Sequence, residues 1–399
     1  MNRTRLNTVL LTCGLAGLVS LASAQQIEWI GNNSNFWGSP TVWSPNTTLN
    51  ANSTADVIIA TTGNGNWMTT SQIGNNTVGV RSITVDNASG LLNNTTQNLR
   101  IAAGNSGTTV RNGEIVFNVG DIDIITLRNN ASVTFTASTV SNADSSLDLN
   151  LNYTGMGRID IDGTSYMQIS TAGAIIGGTG GITKTGAGII RLSGNHTYSG
   201  GFTLQEGSVV ITTSGTNTSE AVESSPFGTG TLTLLGGIVD SSTNSGRTVR
   251  NRTVLNGNII ITTEDGETSG NITWSSAAGQ STVIEGDSVL NISQTVNWAQ
   301  TISGEHGLTK TGNGTLRLTG NNTFSGGFTL EGGTVEITTS GDTSEGVITN
   351  SAFGTGTLTL RDGHIQSTTE SARTIYTSVD LDGSVSITGT FVNETNPED

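Results

Sequence analysis

The segment GLTKTGNGTLRLTGNNTFSGGFTLEGGTVEITTSG, residues 307–341, decides the fold, because an ungapped copy of it lies earlier in the chain. Lys184 aligns with Lys310, and the offset of 126 residues persists as far as Arg247 and Arg373. Between residues 181–234 and 307–360, 33 of 54 positions are identical. A long internal repeat of this kind indicates a protein built from stacked, similar units.

Apolar residues alternate with polar ones inside each copy. Four pairs of apolar residues have a single residue between their members, and both copies keep all four pairs apolar. Such alternation places both members on one face of a strand. Positions next to these pairs differ in polarity between the copies: Ile189 aligns with Thr315, and Val210 aligns with Glu336. A buried, unpaired polar group costs about 1–3 kcal/mol. We therefore expect the apolar pairs to face inward and the positions that differ between the copies to face solvent. The pairs are Ile190/Leu192, Phe202/Leu204, Val209/Ile211 and Leu232/Leu234, then Leu316/Leu318, Phe328/Leu330, Val335/Ile337 and Leu358/Leu360.

Glycine-rich turns separate these short strands and supply the positive φ that tight corners need. Short strands with frequent corners are compatible with a sandwich, a barrel or a solenoid. The ungapped offset favours the solenoid, in which each coil contacts only its neighbours. We therefore predict an all-β solenoid with a slender apolar core. A coil of roughly 20 residues would place about six coils in one 126-residue unit.

The N-terminus has the features of a secretory signal peptide over residues 1–24. Arg3 and Arg5 precede an apolar stretch, and Ala22-Ser23-Ala24 offers the small-residue pattern of a cleavage site. The only cysteine, Cys13, lies inside this segment, so the mature chain would contain none. Removing the two arginines changes the net charge from −15 to −17. Dispersed negative charge without a basic patch argues against nucleic acid or anionic lipid as partner.

We divide the rest of the chain into four regions. Residues 25–98 contain four of the six tryptophans and are predicted to cap one end of the solenoid. A platform for stacking sugars is the alternative for this segment. Residues 99–179 continue the strand pattern without the repeat, residues 180–305 are the first repeat unit, and residues 306–399 are an incomplete second one. The four tryptophans are Trp29, Trp37, Trp43 and Trp67.

The motif GLTKTGNGTLRLTGNNTFSGGFTLEGGTVEI, residues 307–337, resembles the autotransporter-associated β-strand repeat, also called the passenger-associated transport repeat. Phe202 and Phe328 stand where that family more often has threonine. The resemblance implies a right-handed parallel β-helix outside the cell, in a family whose repeat is thought to help passenger export. No C-terminal membrane barrel or sorting tail is evident in the sequence after Ile387, so we expect a barrel-less exported form.

No residue is predicted to be catalytic, to bind a cofactor or to ligate a metal. His196, His306 and His364 have no neighbours at catalytic or metal-ligand spacing, so we expect surface residues. The pairs Asp121/Asp123 and Asp160/Asp162 resemble the acids of polysaccharide-cleaving β-helices, but their flanking isoleucines favour acids on the outer face of a strand. The Thr-x-Thr spacings at Thr229/Thr231 and Thr355/Thr357 are too short and irregular to predict an ice-binding surface.

The sequence therefore predicts a non-enzymatic protein, secreted or on the surface of a Gram-negative bacterium, with a structural or adhesive role. Extracellular glycans or other cell-surface proteins are the expected partners, and no transmembrane segment is expected in the mature chain. The alternatives are a carbohydrate-active β-helix using Asp160 and Asp162, and a glycan-binding module using Trp29, Trp37 and Trp43.

Overall fold

A computed structural model describes residues 25–29, 43–45, 49–60, 70–73, 77–87, 99–104, 112–138, 145–170, 173–241, 246–263, 270–367, 372–389 and 391–392. In these residues the chain winds as a β-solenoid whose strands stack on three sides, here called the first, second and third faces. The predicted all-β solenoid is confirmed. The proposed signal peptide, residues 1–24, lies outside the described residues.

The first face is a ladder of twelve strands. All its neighbours pair in parallel except the outermost two, Trp43–Ser44 and Gln26–Trp29, which are antiparallel. The parallel ladder thus begins inside the segment predicted as a cap, and the capping role stays a prediction. In stacking order the strands are Trp43–Ser44, Gln26–Trp29, Asp56–Ala60, Ser82–Asp86, Asp123–Arg128, Met156–Ile161, Gly181–Thr185, Phe202–Leu204, Leu232–Leu234, Thr253–Leu255, Thr282–Ile284 and Ile302–Gly304.

The second and third faces merge near the C-terminus, where three ten-residue strands bend around the corner between them. The second face contains Thr70–Gln72, Leu99–Gly104, Ser132–Ser138, Tyr166–Ile169, Ile189–Leu192, Ser208–Ile211, Ile238–Ser241, Asn258–Thr263, Ser288–Ile292 and Leu308–Thr311. The third face contains Thr77–Val80, Asn112–Phe117, Ser146–Leu151 and Ala174–Gly178, then Arg247–Val249, Ile272–Trp274, Thr295–Trp298 and Thr315–Leu318. The three bent strands are Phe328–Ile337, Leu358–Ser367 and Val379–Thr388.

A few short elements lie outside these ladders. Two antiparallel hairpins leave the coils, and one short parallel pair continues the last coil. The first hairpin joins Thr216–Asn217 to Val222–Ser224, and the second joins Asp342–Ser344 to Val347–Asn350. The parallel pair is Arg373–Thr374 with Phe391–Val392, and a 3-10 turn spans Ala277–Gly279.

The apolar core runs along the interior of the coils. All eight predicted apolar pairs point inward, and each of their members is at most 2% exposed. The positions that differ in polarity between the copies do face outward, but the expectation that they are exposed to solvent was wrong for two of them. Val210 is 2% exposed between Arg191 and Asp240 in the same ladder. Glu336 is only 9% exposed because long side chains on neighbouring coils cover it. It accepts a hydrogen bond from Arg317 Nε at 2.5 Å.

The repeat unit contains fewer coils than predicted. Along the first face, residues in register are separated by 20, 30, 21, 29 and 20 residues between Ile182 and Ile302. The next strand, Leu308–Thr311, then lies on the second face. The offset of 126 residues therefore spans five coils and one face, not six coils, because corners lengthen some coils to about 30 residues. The two copies are rotated by one third of a turn around the solenoid.

Candidate functional surface of the two repeat copies

The two lysines of the chain, Lys184 and Lys310, are both fully buried at equivalent positions of the repeat. Lys184 Nζ donates to the carbonyl oxygens of Thr185 at 2.7 Å, Gly186 at 2.6 Å and Glu206 at 3.3 Å. Each lysine therefore joins the corner of its own coil to the corner of the next coil. Burial lowers the pKa of both lysines to about 8, while the three carbonyl oxygens match the three hydrogens of an ammonium group.

Lys310 makes the same contacts in the second copy. Its Nζ donates to Thr311 O at 2.8 Å, Gly312 O at 2.7 Å and Gly332 O at 3.0 Å. Both lysines align between the copies in the sequence, but their role in the corners was not predicted. The sequence does contain a signal for this role. Lysine occurs only twice in the 399 residues, each time just before a Thr-Gly corner, and this pattern is unusual for lysines that are exposed to solvent.

His196 is not a surface residue, which contradicts the prediction. It is fully buried, and its Nδ1 accepts a hydrogen bond from the backbone N–H of Ile176 at 3.2 Å. Its repeat partner Asn322 is equally buried and accepts from the N–H of Ile302 through Oδ1 at 2.8 Å. Two different side chains thus serve the same backbone group in the two copies. Burial lowers the pKa of His196 to about 4, so the imidazole is neutral at pH 7.

Acid is expected to destabilise the first copy through His196. Its pKa is about 4 in the folded chain and ordinarily 6.5, so the stabilisation is complete above pH 6.5 and is lost as the pH falls towards 4. The loss should reach about 2 kcal/mol between pH 7.5 and pH 5. Urea unfolding of the parent and of His196→Asn across this range measures it, because asparagine is the residue that the second copy uses. Equal pH dependence in the two proteins would contradict the assignment.

The other two histidines lie nearer the surface. His306 is exposed, with its Nδ1 3.7 Å from Asp287 Oδ1. His364 is half-buried, and its Nδ1 lies 2.7 Å from Ser386 Oγ. The prediction that no histidine is catalytic stays a prediction. Among the described residues, no group of three or more His, Cys, Asp or Glu side chains could hold a metal ion.

The four candidate carboxylates are engaged in contacts between coils. Asp123 pairs with Arg158, and Asp160 pairs with Arg128 and accepts from Thr185 Oγ1 at 3.0 Å. These partners occupy adjacent rungs of the first face, so the acids join neighbouring coils. The outward placement on a strand that the flanking isoleucines predict is confirmed for Asp123 and Asp160 and is wrong for Asp121 and Asp162, which lie outside the strands.

Asp121 and Asp162 lie in turns and accept hydrogen bonds from the backbone. Asp121 Oδ1 accepts from Met156 N at 3.3 Å, and Asp162 Oδ2 accepts from Asn129 N at 2.6 Å. Burial raises the pKa of Asp162, but hydrogen bonds from Ser165, Asn129 and Thr164 outweigh it and hold the pKa below its ordinary value. All four acids thus have a structural use that accounts for their positions.

Threonine ladders exist, but not at the Thr-x-Thr spacings at Thr229/Thr231 and Thr355/Thr357. Thr229 and Thr355 lie at corners, where their backbone N–H groups donate to Tyr198 and Phe324 at 2.8 Å. Each ladder threonine lies between two inward residues of its strand. The threonines are directly in register on successive coils. They are Thr183, Thr203 and Thr233 on the first face, and Thr309, Thr329 and Thr359 on the second face. The rotation between the copies explains the change of face.

Two tryptophans that sequence reasoning did not single out form part of the core. Trp274 and Trp298 are fully buried in register on the third face, and their rings stack at 4.3 Å with an interplanar angle of 3°. Trp29 and Trp43 lie in the outermost strands of the first face, and nothing is described of their side chains. Trp37 and Trp67 lie outside the described residues. The cap, with the sugar platform as its alternative, therefore stays a prediction.

The two hairpins lie outside the coil ladders, and their sequences share no identical position between the copies. Residues 216–224 leave the third face, whereas the equivalent residues 342–350 leave the first face. In the second hairpin Val347 is 66% exposed, and Asp342 Oδ2 accepts from Asn350 Nδ2 at 3.0 Å. At about 4.8 Å per coil, the hairpins are separated by about 25 Å along the axis. They therefore point in different directions from different levels of one rigid stack.

The ungapped repeat, the lysine contacts and the paired corners coincide with a described family. Residues 182–211 and 308–337 match the Passenger-associated-transport-repeat. The chain carries two passenger-associated transport repeats. Each of them spans one full coil and two strands of the next coil, from the strand that carries the lysine to the third inward apolar pair. The resemblance noted in the sequence is thereby confirmed.

A curated protein is similar to a longer part of the chain than the two repeat matches. The protein named Adhesin BmaC autotransporter, from Brucella suis biovar 1 (strain 1330), is 33% identical over 222 residues. The alignment covers 50% of this chain and 6% of that protein, so the chain corresponds to a small part of its length. No solved structure matches the passenger-associated repeats and their surroundings. In the described part of the chain, no helix has the length and apolarity needed to cross a membrane.

Proposed function

We propose that this chain is a non-enzymatic, exported segment of an adhesive surface protein of a Gram-negative bacterium. The observation that carries the proposal is the pair of passenger-associated transport repeats within a continuous solenoid, together with the 33% identity to an adhesin autotransporter. The solenoid acts as a rigid support, and its hairpins make the contacts with a partner. Extracellular glycans or cell-surface proteins are the proposed partner classes.

The distribution of polar groups supports a scaffold. Lys184 and Lys310 bind carbonyl oxygens of the corners, whereas His196 and Asn322 accept hydrogen bonds from N–H groups of strands in the neighbouring coil. The carboxylates described above connect neighbouring coils. Recognition residues on rigid scaffolds are usually found on loops. In each repeat copy the hairpin is a largely exposed segment outside the coil ladders, and the second hairpin presents the large apolar side chain of Val347.

Removal of the hairpins is expected to abolish binding without affecting the coils. The mature chain, residues 25–399, would be screened on a glycan array and on immobilised extracellular-matrix proteins. Variants in which residues 216–224 or 342–350 are replaced by two glycines should lose at least about tenfold in affinity, the effect of about 1.4 kcal/mol of contacts. Their circular dichroism and thermal midpoint should stay close to those of the parent.

A matched control tests the coil surface itself. Thr203→Ala and Thr329→Ala remove ladder hydroxyls from the faces and should leave binding unchanged. Binding that survives loss of both hairpins would contradict their proposed role. Cleavage of any glycan on the array by the parent protein, and loss of that cleavage in Asp160→Asn, would instead support the carbohydrate-active alternative.

A further inference from the structure

Two arginines, Arg250 and Arg252, lie on either side of the fully buried Asn251. Asn251 Nδ2 donates to Gly228 O at 3.0 Å and to Gly230 O at 2.8 Å, which holds the backbone between the arginines in place. Arg252 is exposed and Arg250 is half-buried, so burial alternates through this corner and both arginines project outward. We call these two residues the arginine pair.

The arginine pair lies at the base of the first hairpin. Arg250 Nε donates to Gly215 O at 2.7 Å, and Gly215 directly precedes the hairpin strand Thr216–Asn217. Within the described residues the Arg250 guanidinium has no other hydrogen bond, so no neighbouring group uses its terminal amino groups. The Arg252 side chain has neither a hydrogen bond nor an ion pair in that part of the chain. The hairpin base therefore presents two guanidinium groups that no described carboxylate neutralises.

Five other arginines are each paired with a carboxylate on a neighbouring coil. The arginine pair differs because the residues beside it on the adjacent coils are uncharged. Arg252 lies between Thr231 and Ser281, and Arg250 lies beside Ser275. Its positive charge is therefore not balanced locally, although the chain as a whole has a net charge of −15. The paired arginines are Arg81 with Asp56, Arg128 with Asp160, Arg158 with Asp123, Arg317 with Glu336, and Arg361 with Glu331 and Asp382.

The second repeat copy shows that this corner does not require arginine. Tyr376 and Ser378 occupy the equivalent positions, and Thr377 is buried between them. The backbone follows the same path in both copies. The carbonyl oxygen of the second arginine accepts a hydrogen bond from Leu232 N at 2.8 Å, and that of Ser378 accepts one from Leu358 N at 2.8 Å. The arginine pair is thus an addition to the first copy that the fold does not demand.

We propose that the arginine pair binds the carboxylate or sulfate group of an acidic sugar unit in an extracellular glycan. This inference rests on the proposed function and names the chemistry that the first hairpin recognises. A guanidinium group donates parallel hydrogen bonds to two oxygens of an oxyanion, and the contact with Gly215 orients one such group. The partner carries isolated acidic groups among neutral sugars, because the net charge of −15 repels a densely charged polyanion. Two guanidinium groups are also too few to neutralise the closely spaced phosphates of nucleic acid.

The first test presents the mature chain, residues 25–399, with an array of matched oligosaccharides in unmodified, sialylated and sulfated forms, and with double-stranded DNA. We expect at least about tenfold higher affinity for an acidic form than for its neutral form, and no binding of DNA. Arg250→Gln combined with Arg252→Gln should abolish this preference. Arg252→Gln alone keeps the contact of Arg250 with the hairpin base and should lower the affinity for the acidic form about threefold.

Arg361→Gln is the control, because Glu331 and Asp382 already neutralise this arginine, and it should bind like the parent. Raising the salt concentration from about 0.15 M to about 1 M shortens the screening length from about 8 Å to about 3 Å. It should weaken binding of the acidic form and leave binding of the neutral form unchanged. Equal affinity of the parent for neutral and acidic forms, or binding of DNA that depends on the arginine pair, would overturn the proposal.

The second test transfers the arginine pair to the other copy. Tyr376→Arg combined with Ser378→Arg, added to the double glutamine variant, should restore a preference for the acidic forms, because the backbone of the corner is equivalent. An unchanged preference would contradict the assignment of acid binding to the pair.

Failure of this inference can be distinguished from failure of the proposed function. If replacement of residues 216–224 abolishes binding while the double glutamine variant binds every form like the parent, the hairpin retains its role and the assignment to the arginine pair is wrong. If the glutamine variant loses the preference while the hairpin variant keeps it, the arginine pair is confirmed and the role of the hairpin is wrong. A parent that binds no form on the array contradicts both.

Discussion

Replacing Lys310 with methionine is expected to lower the free energy of unfolding by about 3 kcal/mol. The side chain is fully buried, and its Nζ serves three carbonyl oxygens at 2.7–3.0 Å. Methionine has a similar volume but donates no hydrogen bond. At about 2 kcal/mol for each buried oxygen left unpaired, the loss is about 6 kcal/mol. Relief of the buried charge, from a pKa of about 8 against 10.5, returns about 3 kcal/mol.

Urea unfolding followed by tryptophan fluorescence measures this change, and Lys184→Met should behave in the same way. Thr309→Val is the matched control, because Thr309 is the outward neighbour of Lys310 on the same strand and should change stability by no more than about 0.5 kcal/mol. A methionine variant as stable as the parent would show that the cost of burying the ammonium outweighs its three hydrogen bonds.

Replacing Gly333 with alanine is expected to cost about 4 kcal/mol. Its φ of +69° costs an L-residue about 1 kcal/mol. A methyl group there would lie 2.3 Å from Gly312 O, 2.5 Å from Gly314 O and 2.8 Å from Lys310 Nζ. These are backbone groups and a buried ammonium, so relief of the overlap requires the two coils to separate and adds about 3 kcal/mol.

Gly346 isolates the steric part of this effect. Its φ of +79° is similar, but a methyl group there would meet nothing within 4 Å. Gly346→Ala should therefore cost only about 1 kcal/mol. Because the chain has two lysines, acylation with an amine reagent and mass spectrometry reports which copy opens. Gly333→Ala should expose Lys310 and leave Lys184 protected, and equal labelling in Gly346→Ala would contradict the steric explanation.

Much of the fold could be predicted from local regularities. The period-two pattern placed Ile190 and Leu192 inside, as found, and the ungapped offset predicted stacked coils. Outward acids such as Asp160 also followed from the pattern. Each of these properties depends on residues close in sequence or on equivalence between the copies, which is visible without coordinates.

The sequence could not predict which polar side chains enter the interior. His196 and Asn322 differ chemically, yet both accept a hydrogen bond from a backbone N–H about 20 residues earlier. Trp274 and Trp298 lie outside the matched repeat segments, so no copy was available to indicate their burial. Their contacts join coils, and the residue separation of those coils depends on corner lengths that the strand pattern does not define.

By itself, the sequence determined that the chain alternates, repeats and therefore stacks, because side-chain alternation follows directly from extended backbone geometry. The tertiary structure alone decided how far one copy turns relative to the other. The offset of 126 residues is divided among coils of 20 to 30 residues, and the remainder is one face. Hydrogen-bond register accumulates over five coils, so the direction in which each hairpin points is a property of the closed stack.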